Sequence, residues 1–134
     1  MLNLSCLCGK VHIQILKRPE FINECNCKLS SKTGARWGYF HPSDVLVEGR
    51  TTGYCRDDKD EVNAEVHFCP TCGSTTHFEL TPAAISKFGN TLTGVNMWLA
   101  DASELAGTEM RYPDGQGWSG HGDFGYVREP RIIG

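Results

Sequence analysis

Val62-Asn63-Ala64-Glu65-Val66-His67-Phe68-Cys69-Pro70-Thr71-Cys72-Gly73 is the stretch on which the fold turns. Val62, Ala64, Val66 and Phe68 alternate with Asn63, Glu65 and His67. That two-residue period places the apolar side chains on one face of a strand. The strand runs directly into two cysteines set three apart across a tight turn. Proline presets the turn, and glycine just past the second cysteine permits the positive φ that lets backbone amides point at sulfur. Both thiolates then lie near one point, where Zn²⁺ accepts sulfur at about 2.3 Å in a tetrahedron. Two sulfurs leave half of that tetrahedron open, so another pair must complete a structural site. Beyond the turn, Phe78 and Leu80 continue a partner strand, with His77 and Glu79 facing the other way.

The rest of the chain reads as more short strands between turns. Val11, Ile13 and Ile15 alternate with His12 and Gln14. Arg36-Trp37-Gly38-Tyr39-Phe40 and Val45-Leu46-Val47 are β-rich, separated by a His41-Pro42-Ser43-Asp44 turn. Trp37, Tyr39 and Trp98 read as core aromatics. Thr81-Pro82-Ala83-Ala84-Ile85 has an N-cap followed by proline at the first helical position, with room for a turn or two. Asp101-Ala102-Ser103-Glu104-Leu105 reads as another short helix, capped by Asp101 or Ser103. The charge run Arg56–Glu61 reads as a solvated hairpin loop. The 134 residues suit one zinc-binding domain, 1–134, with 107–134 as an irregular glycine-rich C-terminal segment. The expected fold is mainly β: a compact single domain of short antiparallel strands built around a Cys₄ zinc site.

Composition removes several function classes. Formal net charge is −3, which argues against a nucleic-acid binder, whose affinity comes from Lys and Arg. No run approaches eighteen apolar residues, so no membrane span is expected. The N-terminus has neither the basic nor the apolar region of a secretory leader, and the expected compartment is the cytoplasm. Seven cysteines cannot all pair internally, and in a reducing compartment clustered cysteines more often bind metal or do chemistry.

Six of those cysteines fall in three pairs, leaving Cys55 alone. Cys6-Leu7-Cys8-Gly9 is a tighter version of the Cys69/Cys72 turn, again with glycine after the second cysteine. Joining the two pairs would close a Cys₄ site, although spacing does not by itself choose Cys6/Cys8 over Cys25/Cys27. Cys25-Asn26-Cys27 differs in kind. Lys28, Lys32 and Arg36 follow it, and positive charge favours thiolate and would attract a carboxylate-bearing substrate. Such a pair is either an incomplete second zinc site or an exposed redox pair.

The order of these motifs resembles the glutathione-dependent formaldehyde-activating enzyme family, which includes the centromere protein V-like domains. The residues that carry the resemblance are Cys6-Leu7-Cys8-Gly9-Lys10-Val11, Cys25-Asn26-Cys27, Phe68-Cys69-Pro70-Thr71-Cys72-Gly73-Ser74, and the later Gly94-Val95-Asn96 with Asp101–Leu105. The resemblance implies a mostly β fold with structural zinc on Cys6, Cys8, Cys69 and Cys72, beside a catalytic zinc on the second motif. In the family that motif is Cys-x-Cys-x-x-Cys; here Ser30 stands where the third cysteine would fall, and a serine hydroxyl is a poor zinc ligand. By the same resemblance, Cys25 and Cys27 are the catalytic and second-zinc residues. Cys55, His41 and His67 are the candidates for a third ligand.

The implied activity is that of a zinc-dependent carbon–sulfur lyase acting on a small thiol adduct, such as a glutathione–aldehyde adduct. Lys28, Lys32 and Arg36 would anchor its carboxylate. The alternative is a non-catalytic, zinc-stabilised binding or scaffold domain that has lost the second metal. A third reading makes Cys25/Cys27 a redox switch.

Overall fold

The alternating aliphatics of the N-terminal third are among the most completely buried side chains of the molecule: Val11, Ile13 and Ile15 have no exposed surface. Each such side chain contributes about 1.5–3 kcal/mol through burial. The computed structural model describes residues 1–134 and arranges them into eleven strands, three short α-helices and two single-turn 3-10 helices. In chain order the strands and α-helices are β1 (Leu2–Ser5), β2 (His12–Ile15), β3 (Phe21–Asn23), α1 (Lys28–Thr33), β4 (Trp37–Phe40), β5 (Val45–Glu48), β6 (Thr52–Tyr54), β7 (Ala64–Phe68), β8 (Thr75–Leu80), α2 (Pro82–Phe88), β9 (Thr93–Asn96), α3 (Ala102–Leu105), β10 (Glu109–Pro113) and β11 (Tyr126–Ile132). No helix is long and apolar enough to cross a membrane.

The fold is mainly β, as its periodicity predicts. Strands β1, β2 and β5 form a three-stranded antiparallel sheet. The other eight form one sheet in the order β11-β10-β3-β4-β9-β8-β7-β6. Its pairings are antiparallel except for β3 with β10. That exception follows from the long stretch between the two strands, since parallel partners need an extended crossover. The main core packs Leu2, Leu4, Ile13 and Ile15 of the small sheet against Ile22, Phe40, Val95 and Met110 of the large one. A second cluster, Ala35, Trp37, Val66 and Phe78, gathers Leu29 of α1 around it. Trp37 and Phe78 meet edge to face at 5.0 Å. Gly94 makes this possible, because a Cβ there would stand 1.9 Å from the Phe78 ring.

Local signals mostly landed where the residues placed them. The Thr81 hydroxyl caps α2 by accepting the Ala84 amide at 3.2 Å. Asp101 holds the N-cap position of α3 without a side-chain bond to the helix. The charge run 56–61 does lie between β6 and β7, but it folds back onto α1 through Lys28–Asp58 at 2.9 Å, while Arg56–Asp58 at 2.7 Å braces it from within.

One expectation needs correction, and one helix has no counterpart among the expected elements. The 107–134 segment is not irregular throughout: it supplies β10 and β11, and β10 inserts beside β3 with Met110 and Tyr112 in the core. Its glycines sit mainly in the loop between those strands. The residues after Cys27 form that helix. Sequence reading missed α1 because the cap is a cysteine: Cys27 Sγ accepts the Ser30 amide at 3.4 Å, a role ordinarily read from Ser, Thr, Asp or Asn.

Candidate functional site

The turn after β1 and the turn between β7 and β8 bring four cysteines together. The Sγ atoms of Cys6, Cys8, Cys69 and Cys72 all lie within 4.8 Å of one another. Cys6 and Cys8 are 3.6 Å apart at sulfur, and Cys8 and Cys69 are 3.7 Å apart. A disulfide requires about 2.05 Å, whereas a zinc tetrahedron with arms of about 2.3 Å has edges of about 3.8 Å. The sulfurs therefore stand at the spacing of metal ligands, and an all-sulfur donor set suits zinc.

Each turn is closed by a glycine of positive φ, Gly9 at 81° and Gly73 at 78°. Amides point inward: Val11 N–H donates to Cys6 Sγ at 3.3 Å. Ser74 joins the two turns, accepting the Leu7 amide at 3.1 Å while its Oγ lies 3.2 Å from Cys72 Sγ. The Ser74 hydroxyl and amide draw the Cys72 thiol down to about 5. The Lys10 amide also favours the Cys8 thiolate, but loss of water and the three neighbouring sulfurs outweigh it and push Cys8 up to about 11. Four crowded thiols thus resist holding four negative charges unless a cation lies among them.

The other pair sits at the start of α1. Cys27 Sγ caps the helix, and its thiol donates to Ser30 Oγ at 3.2 Å. The same Ser30 oxygen accepts Trp37 Nε1–H at 3.1 Å. Burial pushes the Cys27 thiol up, yet the Ser30 hydroxyl and amide outweigh it and the net shift is downward. Cys25 moves the opposite way, raised first by burial although the Cys27 and Gly115 amides favour its thiolate. Burial, with a smaller contribution from the charges of both cysteines, holds the Tyr39 hydroxyl up at about 12 although Asn23 Nδ2–H favours the phenolate.

A family model described as glutathione-dependent formaldehyde-activating enzyme matches residues 1–109. The chain belongs to that family. Among solved structures, a crystal structure of a Rhodobacter sphaeroides protein is 26% identical, with a TM-score of 0.58. The match covers 75% of this chain and 88% of that one. No curated protein matches.

For a member of the glutathione-dependent formaldehyde-activating family, the second motif is short of donors. Catalytic zinc takes three protein ligands and an open position. No histidine, cysteine or carboxylate joins Cys25 and Cys27 in a set of three whose donor atoms lie within 4.8 Å of one another. Cys55 instead lies exposed on the β6 side, its thiol donating to Glu65 at 3.6 Å. His41 caps the turn before β5, accepting the Ser43 amide at 3.1 Å. His67 stacks on His77 across β7 and β8. His77 does not titrate near neutrality, because burial and then the charge of His67 depress it to about 4.

The three cations following Cys27 are divided by α1. Arg36 shares a cavity of about 320 Å³ with Cys25. Lys28 and Lys32 line a separate cavity of about 530 Å³ on the side of the helix facing the 56–58 loop. Helical geometry is the reason, since Lys28 and Lys32 are one turn apart on one face. Arg36 pairs with Glu24 and lies 4.3 Å over the Trp98 ring.

Sequence reading overlooked the far wall of the Cys25 cavity. Arg128 of β11 lines it, stacked 4.8 Å over Tyr112 and with no carboxylate within 4.0 Å. The loop after β10 covers the thiols. Asn26 Nδ2 donates to Asp114 Oδ1 at 2.8 Å, and the Gln116 amide donates to Asn26 Oδ1 at 2.9 Å. Gly115 consequently lies so close that a Cβ would be 2.5 Å from Cys25 Sγ. A signal was present in the Asp114-Gly115-Gln116-Gly117 turn residues, but nothing local tied that turn to Cys25.

Proposed function

We propose that this chain makes or breaks the carbon–sulfur bond of a small thiol–aldehyde adduct, of the glutathione–formaldehyde kind, at Cys25 and Cys27. What carries the reading is that, in a chain of this family, Cys25 shares one cavity with two arginines, Arg36 and Arg128. Its size lies at the lower end of small-molecule sites, roughly 300–1,000 Å³. Cys25 and Cys27 would give a zinc ion only two protein ligands, so it would bind here with the substrate's own thiolate as a further donor. Its chemistry would be to keep that sulfur deprotonated and to polarise the adduct.

The chain's own residues do the rest. Arg128, free of acidic partners, takes a substrate carboxylate in its planar fork. Arg36, already balanced by Glu24, is the weaker anchor, and Lys28 and Lys32 serve the neighbouring cavity. Ser30 and Trp37 hold the Cys27 sulfur in place. The Gly115 loop keeps water from the back of Cys25. In adduct cleavage the carbon–sulfur electron pair moves to sulfur, giving thiolate, while the hydroxyl proton passes to solvent water as the O–H electron pair becomes the aldehyde carbonyl. Cys6, Cys8, Cys69 and Cys72 would hold a second, structural ion, which would fasten the N-terminus to the β7–β8 turn.

A second reading rests on Ser30. With a serine hydroxyl in the third ligand position, the domain would keep its structural zinc and bind without catalysing. Turnover of a hydroxymethyl–glutathione adduct, followed by NMR exchange of the labelled aldehyde, separates the two. The enzyme reading expects exchange above the uncatalysed rate, abolished in Cys25→Ser with unchanged circular dichroism. It also expects a KM raised more than kcat is lowered in Arg128→Gln. Wild-type exchange at the uncatalysed rate would establish the scaffold reading instead.

A further inference from the structure

A second cluster of ligand-type side chains lies on the sheet face turned away from Val66 and Phe78. Strands β7 and β8 pair His67 directly with His77 and Glu65 directly with Glu79. Two imidazoles and two carboxylates thus form a square. The rings stack at 4.5 Å and 15°. Glu79 reaches back so that one carboxylate oxygen is 3.5 Å from His67 Nε2 and the other 3.5 Å from His77 Nε2. The donor atoms of His67, His77 and Glu79 all lie within 4.8 Å of one another.

Hydrogen bonding prepares both rings to ligate through Nε2. The Thr76 hydroxyl donates to the His67 carbonyl oxygen at 3.1 Å. Its oxygen therefore accepts from His77 Nδ1–H at 2.9 Å, which leaves the His77 Nε2 lone pair free. The Thr51 hydroxyl lies 3.0 Å from His67 Nδ1, where its oxygen can accept from that nitrogen. Such a bond on the far nitrogen is the usual support of a metal-bound imidazole. His67 Nε2 is buried and has no hydrogen-bond partner, although a Glu65 oxygen lies out of line at 2.8 Å. The His77 side chain is only 3% exposed.

The carboxylates supply the other half of the case. Like charges directly opposite on a sheet are destabilising, and Glu65 and Glu79 are so placed without a lysine or arginine within 4.0 Å of either. Gly53 stands opposite His67 on β6, and a Cβ there would be 2.3 Å from Glu65 Oε1, so the bare backbone admits that carboxylate. A tetrahedral ion with nitrogen and oxygen arms of about 2.0–2.1 Å has ligand edges of about 3.3–3.4 Å. The two His–Glu79 separations of 3.5 Å are close to this, and the third edge, between the imidazoles' donor nitrogens, lies within 4.8 Å.

We propose that His67, His77 and Glu79 form a separate site for a divalent first-row transition ion such as Zn²⁺ or Co²⁺, with Glu65 flanking it. Two imidazoles and one carboxylate hold the ion, and the solvent-facing side leaves a coordination position open. The site is independent of the Cys25/Cys27 reading and of the four-cysteine centre.

The test is a Co²⁺ titration of protein whose cysteine centre is already zinc-filled, read by calorimetry, imidazole ¹⁵N NMR and absorption. One added equivalent should shift His67 and His77 Nε2 while both Nδ1 remain protonated, without a thiolate-to-cobalt absorption band. His67→Gln and Glu79→Gln spare the buried His77, and each should weaken binding at least about 10-fold, the loss that even outer-partner changes bring. Zinc should compete for the same equivalent. Unmoved imidazole resonances at saturating Co²⁺ would overturn the site. So would a thiolate band accounting for all the added cobalt, or unchanged affinity in both folded variants.

Discussion

Replacing Gly115 with alanine tests whether the loop after β10 is the cover of the thiol pair. The new Cβ would meet Cys25 Sγ at 2.5 Å and Cys27 Cβ at 3.0 Å. Ordinary contact is about 3.5–4.0 Å between carbons, so roughly 1 Å has to be found. The loop cannot simply lift, because Asn26 bonds to both Asp114 and Gln116 and the Gly117 amide donates to Asp114 at 3.1 Å. Overpacking of this kind costs about 1–3 kcal/mol. For a domain of this size that is a fall in Tm of about 3–12 °C.

Gly125, at the other end of the same loop, supplies the control: an added Cβ there meets nothing within 4 Å, and its φ is not in the left-handed region. Gly125→Ala should be neutral or stabilising by up to about 1 kcal/mol. Thermal unfolding of both variants gives the stability half of the assay. Alkylation of the Cys25 peptide, timed by mass spectrometry, gives the site half and should be faster in Gly115→Ala alone. Equal Tm values for the two variants, with Cys25 reactivity unchanged, would refute the packing argument.

Other outcomes follow from the same geometry. Ser30→Cys should add a third sulfur beside Cys27 and strengthen the thiolate-to-cobalt absorption of Co²⁺-loaded protein beyond that of the four-cysteine centre; identical spectra would remove Ser30 from the ligand position. Stripping metal with a strong chelator should unfold much of the N-terminal sheet, since structural zinc in small peptides contributes about 10–16 kcal/mol; an unchanged circular dichroism melt would contradict a structural role. Asp58→Asn should release the 56–61 loop and speed its proteolysis. Arg56 and Lys28 hold the Asp58 carboxyl well below the usual carboxylate range. The stabilisation is therefore complete above the unfolded carboxylate value of about 4 and declines as pH falls from there, being lost only through the depressed folded value; loop cleavage that does not rise at strongly acidic pH would argue against it.

Periodicity and spacing were enough for β2, β4, β5, β7 and β8 and for the paired-cysteine turns, and the order of the cysteine motifs carried the resemblance to the family. Val11, Ile13 and Ile15, or Val66 and Phe68, carry their face in a two-residue alternation that any sheet must respect. Cys69-Pro70-Thr71-Cys72-Gly73 carries its turn in its own residues. These are local matters, decided within a few positions.

Tertiary structure decided what lies across from them. The spacing of Cys6/Cys8 and Cys69/Cys72 did not choose between partners; the approach of β1 to the β7–β8 turn brought their sulfurs within 4.8 Å. Lys28, Lys32 and Arg36 are neighbours in sequence, yet a helix capped by cysteine turned them toward different cavities. Arg128 and Gly115 came to Cys25 only because β10 inserted beside β3. His67 and His77 became a pair only through the β7–β8 register. Sequence encodes the direction of each side chain along its own element, whereas convergence of donors from distant elements depends on sheet order and register, which no single stretch of chain contains.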